Sequence, residues 1–196
     1  MNRILPAFLV AYSLIACGDD GGSGTGADAR IVGMDAALEC EVDEAYGTPT
    51  LAEVYAGRDL DTNPESAYIN GSINTDFDDL TIELYKGFGV YTDGELVPTT
   101  VTIGGDEANY DTCGACVMLY ANWNRETSEA EQLYIAIGGT LNITQVAPNF
   151  QGTLLNATFE RIVEDADRAY VKAPGNCVSS IASVSFDAVV ETDPPK

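Results

Sequence analysis

Leu80-Thr81-Ile82-Glu83-Leu84-Tyr85 is the stretch that decides the fold. In an extended chain successive side chains point to opposite faces, so Leu80, Ile82 and Leu84 share one face and Thr81, Glu83 and Tyr85 the other. The same period of two returns along the chain. Val97, Thr99, Val101 and Ile103 alternate with Pro98, Thr100 and Thr102, and Leu133, Ile135 and Ile137 with Gln132, Tyr134 and Ala136. Leu155, Ala157 and Phe159 oppose Asn156, Thr158 and Glu160, while Ala182, Val184, Phe186 and Ala188 oppose Ser183, Ser185 and Asp187. The first set of each is expected on a buried face. Further strands are expected at 38–43, 67–73, 116–123 and 140–146, about nine in all, divided by clusters such as Thr92-Asp93-Gly94, Gly104-Gly105-Asp106 and Gly138-Gly139. No long amphipathic helices alternate with them, which disfavours a parallel α/β sheet. The prediction is an all-β fold, an antiparallel β-sandwich of Ig-like or jelly-roll-like type, with a closed β-barrel as the alternative. Short helical turns are expected at 50–55 and 163–169.

A chain of 196 residues, 45% of them hydrophobic, can bury a sizeable core as one domain, placed at 31–190 with a frayed acidic tail at 191–196. Nine Lys and Arg stand against 31 Asp and Glu, a net charge of −22. That charge opposes approach to phosphate backbones and excludes nucleic acid as a partner. With no histidine in the chain, Ser-His-Asp and Cys-His catalysis and His-containing zinc sites are excluded as well.

The N-terminus carries the clearest address. Arg3 precedes an apolar run from Ile4 to Ala16, 13 residues interrupted only by Pro6, Tyr12 and Ser13. A spanning helix needs about 20 residues, so the run reads as an export signal at 1–16. Leu14-Ile15-Ala16-Cys17 directly after it resembles the lipobox of bacterial lipoproteins. The resemblance implies cleavage before Cys17, a diacylglycerol on its sulfur, an acyl chain on its new amino group, and localisation in the bacterial cell envelope, with Gly18 favouring the outer membrane. Residues 17–30 then form the lipidated cysteine and a tether poor in apolar groups. Its stretch Gly18-Asp19-Asp20-Gly21-Gly22-Ser23-Gly24-Thr25-Gly26-Ala27-Asp28 spans about 18 to 20 Å r.m.s. as a flexible coil. The membrane is thus expected as a partner through the lipid alone.

Four further cysteines remain: Cys40, Cys113, Cys116 and Cys177. In an oxidising compartment an even number implies two disulfides, for which three pairings exist. Cys40 alternates in phase with Leu38 and Val42 and is expected to face the core or the sheet rim. The expected pairing sends Cys113 and Cys116 to distant partners, one to Cys40 and the other to Cys177. Cys113-Gly114-Ala115-Cys116 also has the spacing of thiol-disulfide oxidoreductases, but it precedes a strand and lacks the helix N-terminus that lowers the first thiol's pKa. Tyr110-Asp111-Thr112-Cys113-Gly114-Ala115-Cys116-Val117-Met118-Leu119, with Gly175-Asn176-Cys177, resembles a pattern in uncharacterised secreted lipoproteins of myxobacteria and their relatives. This implies a disulfide-stapled β domain and no activity.

Asp59-Leu60-Asp61-Thr62-Asn63-Pro64-Glu65 opens like an EF-hand loop, with oxygen ligands at alternate positions. Pro64 stands where the sharp turn requires glycine and Asn70 where a bidentate Glu is required, so an EF-hand is not expected. A looser Ca2+ site could draw on Asp59, Asp61, Asp76, Asp78 or Asp79, against the favoured reading of a solvated acidic surface. Trp123 and the ten tyrosines could stack on sugar rings, but Trp123 shares its phase with Val117 and Leu119 and is expected in the core. The leading functional expectation is a lipid-anchored, non-catalytic envelope protein that binds, adheres to or supports a protein or glycan partner. The alternatives are a calcium-dependent carbohydrate or surface binder and a periplasmic thiol-disulfide oxidoreductase using Cys113 and Cys116.

Overall fold

The computed structural model describes residues 40–60, 64–75, 78–124 and 126–191. The chain divides into a unit Met1–Leu38 and a unit Glu39–Lys196. The export signal, Cys17, the tether, the start of the strand expected at 38–43 and the tail beyond Glu191 lie outside the described residues. Within the second unit run β1 (Ala52–Asp59), β2 (Ser66–Ser72), β3 (Asp79–Tyr85), β4 (Thr99–Ile103), β5 (Ala115–Ala121), β6 (Gln132–Gln145), β7 (Asn149–Glu164), β8 (Tyr170–Lys172) and β9 (Val178–Glu191). Two short 3-10 turns occupy Gly89–Tyr91 and Gly105–Ala108.

The fold is all-β and sandwich-like. The strand order is β4-β6-β5-β3-β2-β1-β9-β7-β8, and β6 also pairs with β7. Neighbours are antiparallel except β1 and β9, which run parallel through Ala56–Val190 and Gly57–Glu191. On one edge β6 pairs first with β5, through Met118–Ile135, and then with β4, through Val101–Leu141. The change of partner falls at Gly138 and Gly139, where the register with β7 also shifts. Gly139 has φ +124, and a Cβ there would stand 2.8 Å from Ala157 Cα, so only glycine lets the two long strands close at this corner.

Several sequence expectations need correction. Residues 50–55 form no helical turn but lead into β1, which the weak alternation of Ala52-Glu53-Val54-Tyr55 conceals. Residues 165–169 are a hairpin turn between β7 and β8, and Glu191 closes β9 instead of opening a tail. The strands expected separately at Leu133 and at 140–146 are one strand, β6. Residues 40–43 are not a strand.

Leu80, Ile82 and Leu84 enter the main core as expected, together with Val101, Ile103, Val184 and Phe186. On β6 the phase is reversed: Tyr134 and Ala136 are fully buried in that core, whereas Ile137 is 39% exposed. Leu133 and Ile135 instead face a second apolar cluster, with Tyr110, Met118 and Ile162, on the other side of the sheet. Both faces here are covered, so alternation does not say which is inside. On β7, Leu154 is buried and Leu155 is 38% exposed, yet Ala157 and Phe159 point inward again. Asn156, at φ +50, absorbs the change of phase as a bulge does.

Candidate functional site

Two polar features interrupt the apolar packing. The first lies where residues 40–47 form a strap along the sheet. Cys40 is bonded to Cys177, the Glu41 N–H donates to Gln132 Oε1 at 3.3 Å, and Val42 is buried in the main core. Ser179 Oγ donates to the Asp43 carbonyl at 2.6 Å, and the Tyr46 N–H donates to the Ser180 carbonyl at 2.9 Å. Beside it, the Asp78 carboxylate accepts the Tyr46 hydroxyl at 2.5 Å, Asn74 Nδ2 at 2.8 Å and the Asn122 N–H at 3.0 Å. Burial, then the hydrogen bond to Asp78, pushes the Tyr46 hydroxyl far above the usual phenol range.

Tyr134 and Arg161 are cross-strand partners. The Tyr134 hydroxyl donates to Gln132 Oε1 at 2.6 Å, and burial raises its pKa while the Arg161 guanidinium pulls the other way. Arg161 Nε and Nη1 are shielded from solvent and have no hydrogen-bond partner. Sequence reading passed over this arginine, although it follows Phe159 by two residues and so shares its inward phase.

The second feature is the outer cluster. Cys113 and Cys116 are bonded to each other, and both are fully buried. The expected long-range pairing is therefore corrected: Cys40 takes Cys177, and the C-x-x-C pair closes on itself. Cys40 is exposed and reaches Cys177 from the strap, where it was expected to face the core. The Glu107 carboxylate, 7% exposed, holds the turn in place. Its Oε2 accepts the N–H groups of Gly114 at 3.0 Å and Ala115 at 2.7 Å, and its Oε1 accepts that of Val90 at 2.5 Å. A Cβ on Gly114 would lie 2.2 Å from the Phe88 carbonyl, which fixes glycine between the two cysteines. Around this turn Tyr110 and Tyr170 meet edge to face at 4.9 Å, and Glu83 accepts the hydroxyls of Tyr85 at 3.0 Å and Tyr110 at 3.3 Å. Burial first, and the Glu83 charge second, push Tyr85, Tyr110 and Tyr120 upward.

Trp123 lies beyond the end of β5, half-buried, with its ring edge to face with Tyr120 at 5.2 Å. Its expected core position is thus corrected: the strand stops at Ala121, and the alternation stops with it. Among the calcium candidates, Asp78 and Asp79 are buried and committed to protein donors, Asp79 to Ser72 Oγ. Asp59 ends β1, whereas Asp61 and Asp76 lie outside the described residues. No group of three or more metal-ligating acids or cysteines is gathered among the described residues.

Chemically, both features order backbone: carboxylates accept N–H and O–H donors, and disulfides close chain ends. The sulfurs of the C-x-x-C pair are sealed from an attacking thiolate. Compared with known proteins, the chain matches no family model, no curated protein and no solved structure.

Proposed function

We propose that this chain is a lipid-anchored protein of the bacterial envelope, acylated at Cys17, that presents a disulfide-stapled β domain to a protein or glycan partner without catalysing a reaction. The observation that carries the reading is Leu14-Ile15-Ala16-Cys17 placed directly after a 13-residue apolar run. Three acyl chains hold a domain on a bilayer without a spanning helix, since each buried CH2 contributes about 0.8 kcal/mol. The polar stretch after Cys17 keeps the acidic domain of a chain whose net charge is −22 away from anionic headgroups. Two disulfides support an oxidising compartment. Radiolabelled palmitate fed to the expressing bacterium is expected to label the wild-type chain and leave Cys17→Ser unlabelled. Equal labelling of both refutes the anchor.

A further inference from the structure

We propose that Arg161 anchors a binding site for a small oxyanion, a ligand recognised through a carboxylate or phosphate group, beside the strap of residues 40–47. Arg58 pairs with Glu65, Lys86 with Glu65 and Glu95, Arg168 with Glu164, and Lys172 with Glu160. Arg161 is the one described basic residue with no acid partner, in a chain that offers 31 acids. Its immediate neighbour Glu160 points to the opposite face of β7 and is taken by Lys172.

Withholding a partner from a guanidinium is costly, because each buried donor left unmade forfeits its hydration. An arriving oxyanion repays that loss, and the guanidinium fork suits carboxylate and phosphate geometry. The neighbouring groups fit this reading. Tyr134 stands opposite Arg161 on the neighbouring strand with its hydroxyl donating to Gln132 Oε1, and the acids that act on it are Glu41 and Asp78. Asp78 is held by Tyr46, Asn74 and Asn122, and Glu41 is exposed on the strap. Nε and Nη1 are covered, so the ligand is met by rotation of the long side chain, which is partly exposed, and not in a preformed cavity.

The test uses the full chain and follows its melting temperature in sodium phosphate, sodium acetate and sodium chloride at equal ionic strength. Chloride sets the general screening that any acidic protein gains. Phosphate or acetate is expected to raise the midpoint beyond chloride by about 3–6 °C at ten times the dissociation constant. Which of the two acts tells a phosphate ligand from a carboxylate one. In Arg161→Met that increment disappears, while the midpoint in chloride stays level or rises, because two covered donors without partners have been removed. The site is overturned if phosphate, acetate and chloride act alike on the wild type, or if the increment survives in Arg161→Met. A fall of many degrees for Arg161→Met in chloride overturns it too, since it would make the arginine an internal structural partner. Arg161→Lys, which keeps the charge without the fork, is expected to retain the fold and lose most of the increment.

Discussion

Removing the Cys40–Cys177 bridge is expected to cost far more than removing the bridge between Cys113 and Cys116, although the latter is the more deeply buried. The reason lies in the unfolded chain. The first bridge joins residues 137 apart and the second residues 3 apart. In the loop-closure model the long bridge stabilises by about 5 kcal/mol and the short one by about 2 kcal/mol. Replacing Cys113 and Cys116 by alanine also empties space at two sealed positions, which adds about 1 kcal/mol. The order of the two is preserved. In the folded protein the long bridge also pins the strap to the start of β9, so its loss exposes the hydrogen bonds of Glu41, Asp43 and Tyr46 to fraying. The measurement is thermal unfolding of Cys40→Ala/Cys177→Ala and Cys113→Ala/Cys116→Ala, both in a Cys17→Ser background so that no odd thiol can exchange. The long-bridge variant should lose about 10–20 °C of melting temperature and the short-bridge variant about half that. Amide exchange in the strap should rise only in the former. A short-bridge variant that is the less stable of the two would refute the loop-entropy reasoning.

Other expectations follow from the buried polar groups. Glu107→Gln keeps one acceptor oxygen but turns an amide donor toward backbone N–H groups that already donate, so stability should fall by about 2–4 kcal/mol, with faster exchange at Val90, Gly114 and Ala115. An unchanged urea midpoint would contradict the role given to this carboxylate. Alkaline pH should unfold the domain: Tyr85, Tyr110 and Tyr120 have folded pKa values raised above the unfolded value near 10, so the folded state holds protons that the unfolded state releases. The stability they contribute is complete below about pH 10 and declines as pH rises beyond it. Tyrosinate absorbance should therefore appear together with loss of the β-sheet signal, and a smooth titration of every tyrosine near pH 10 in an intact fold would speak against it.

Much of the fold is legible in the chain, and the losses have identifiable causes. β3 reads directly, because Leu80, Ile82 and Leu84 alternate and all three are buried. β6 reads as strand but with its faces exchanged, since Tyr134 competes with Ile135 for the inside and apolar residues cover both sides. Trp123 continues the alternation of β5 in sequence after the backbone has already turned at Asn122, where φ is +50. Glu107 gives no local signal: it is one carboxylate among many until the chain folds the N–H groups of Val90, Gly114 and Ala115 around it.

By itself the sequence determined the all-β character, the apolar run ending at Cys17 on which the proposed anchor rests, the acidic charge and the number of cysteines available for bridging. Each is a property of neighbouring residues or of composition, which the chain carries whether folded or not. Only the tertiary structure decided that Cys40 meets Cys177, that β1 lies parallel to β9, that a strap of residues 40–47 lies along the sheet, and that Arg161 Nε and Nη1 are covered without a hydrogen-bond partner. Those depend on which distant side chains arrive within a few ångströms of one another, and a period of two constrains the face of a strand without naming what stands opposite.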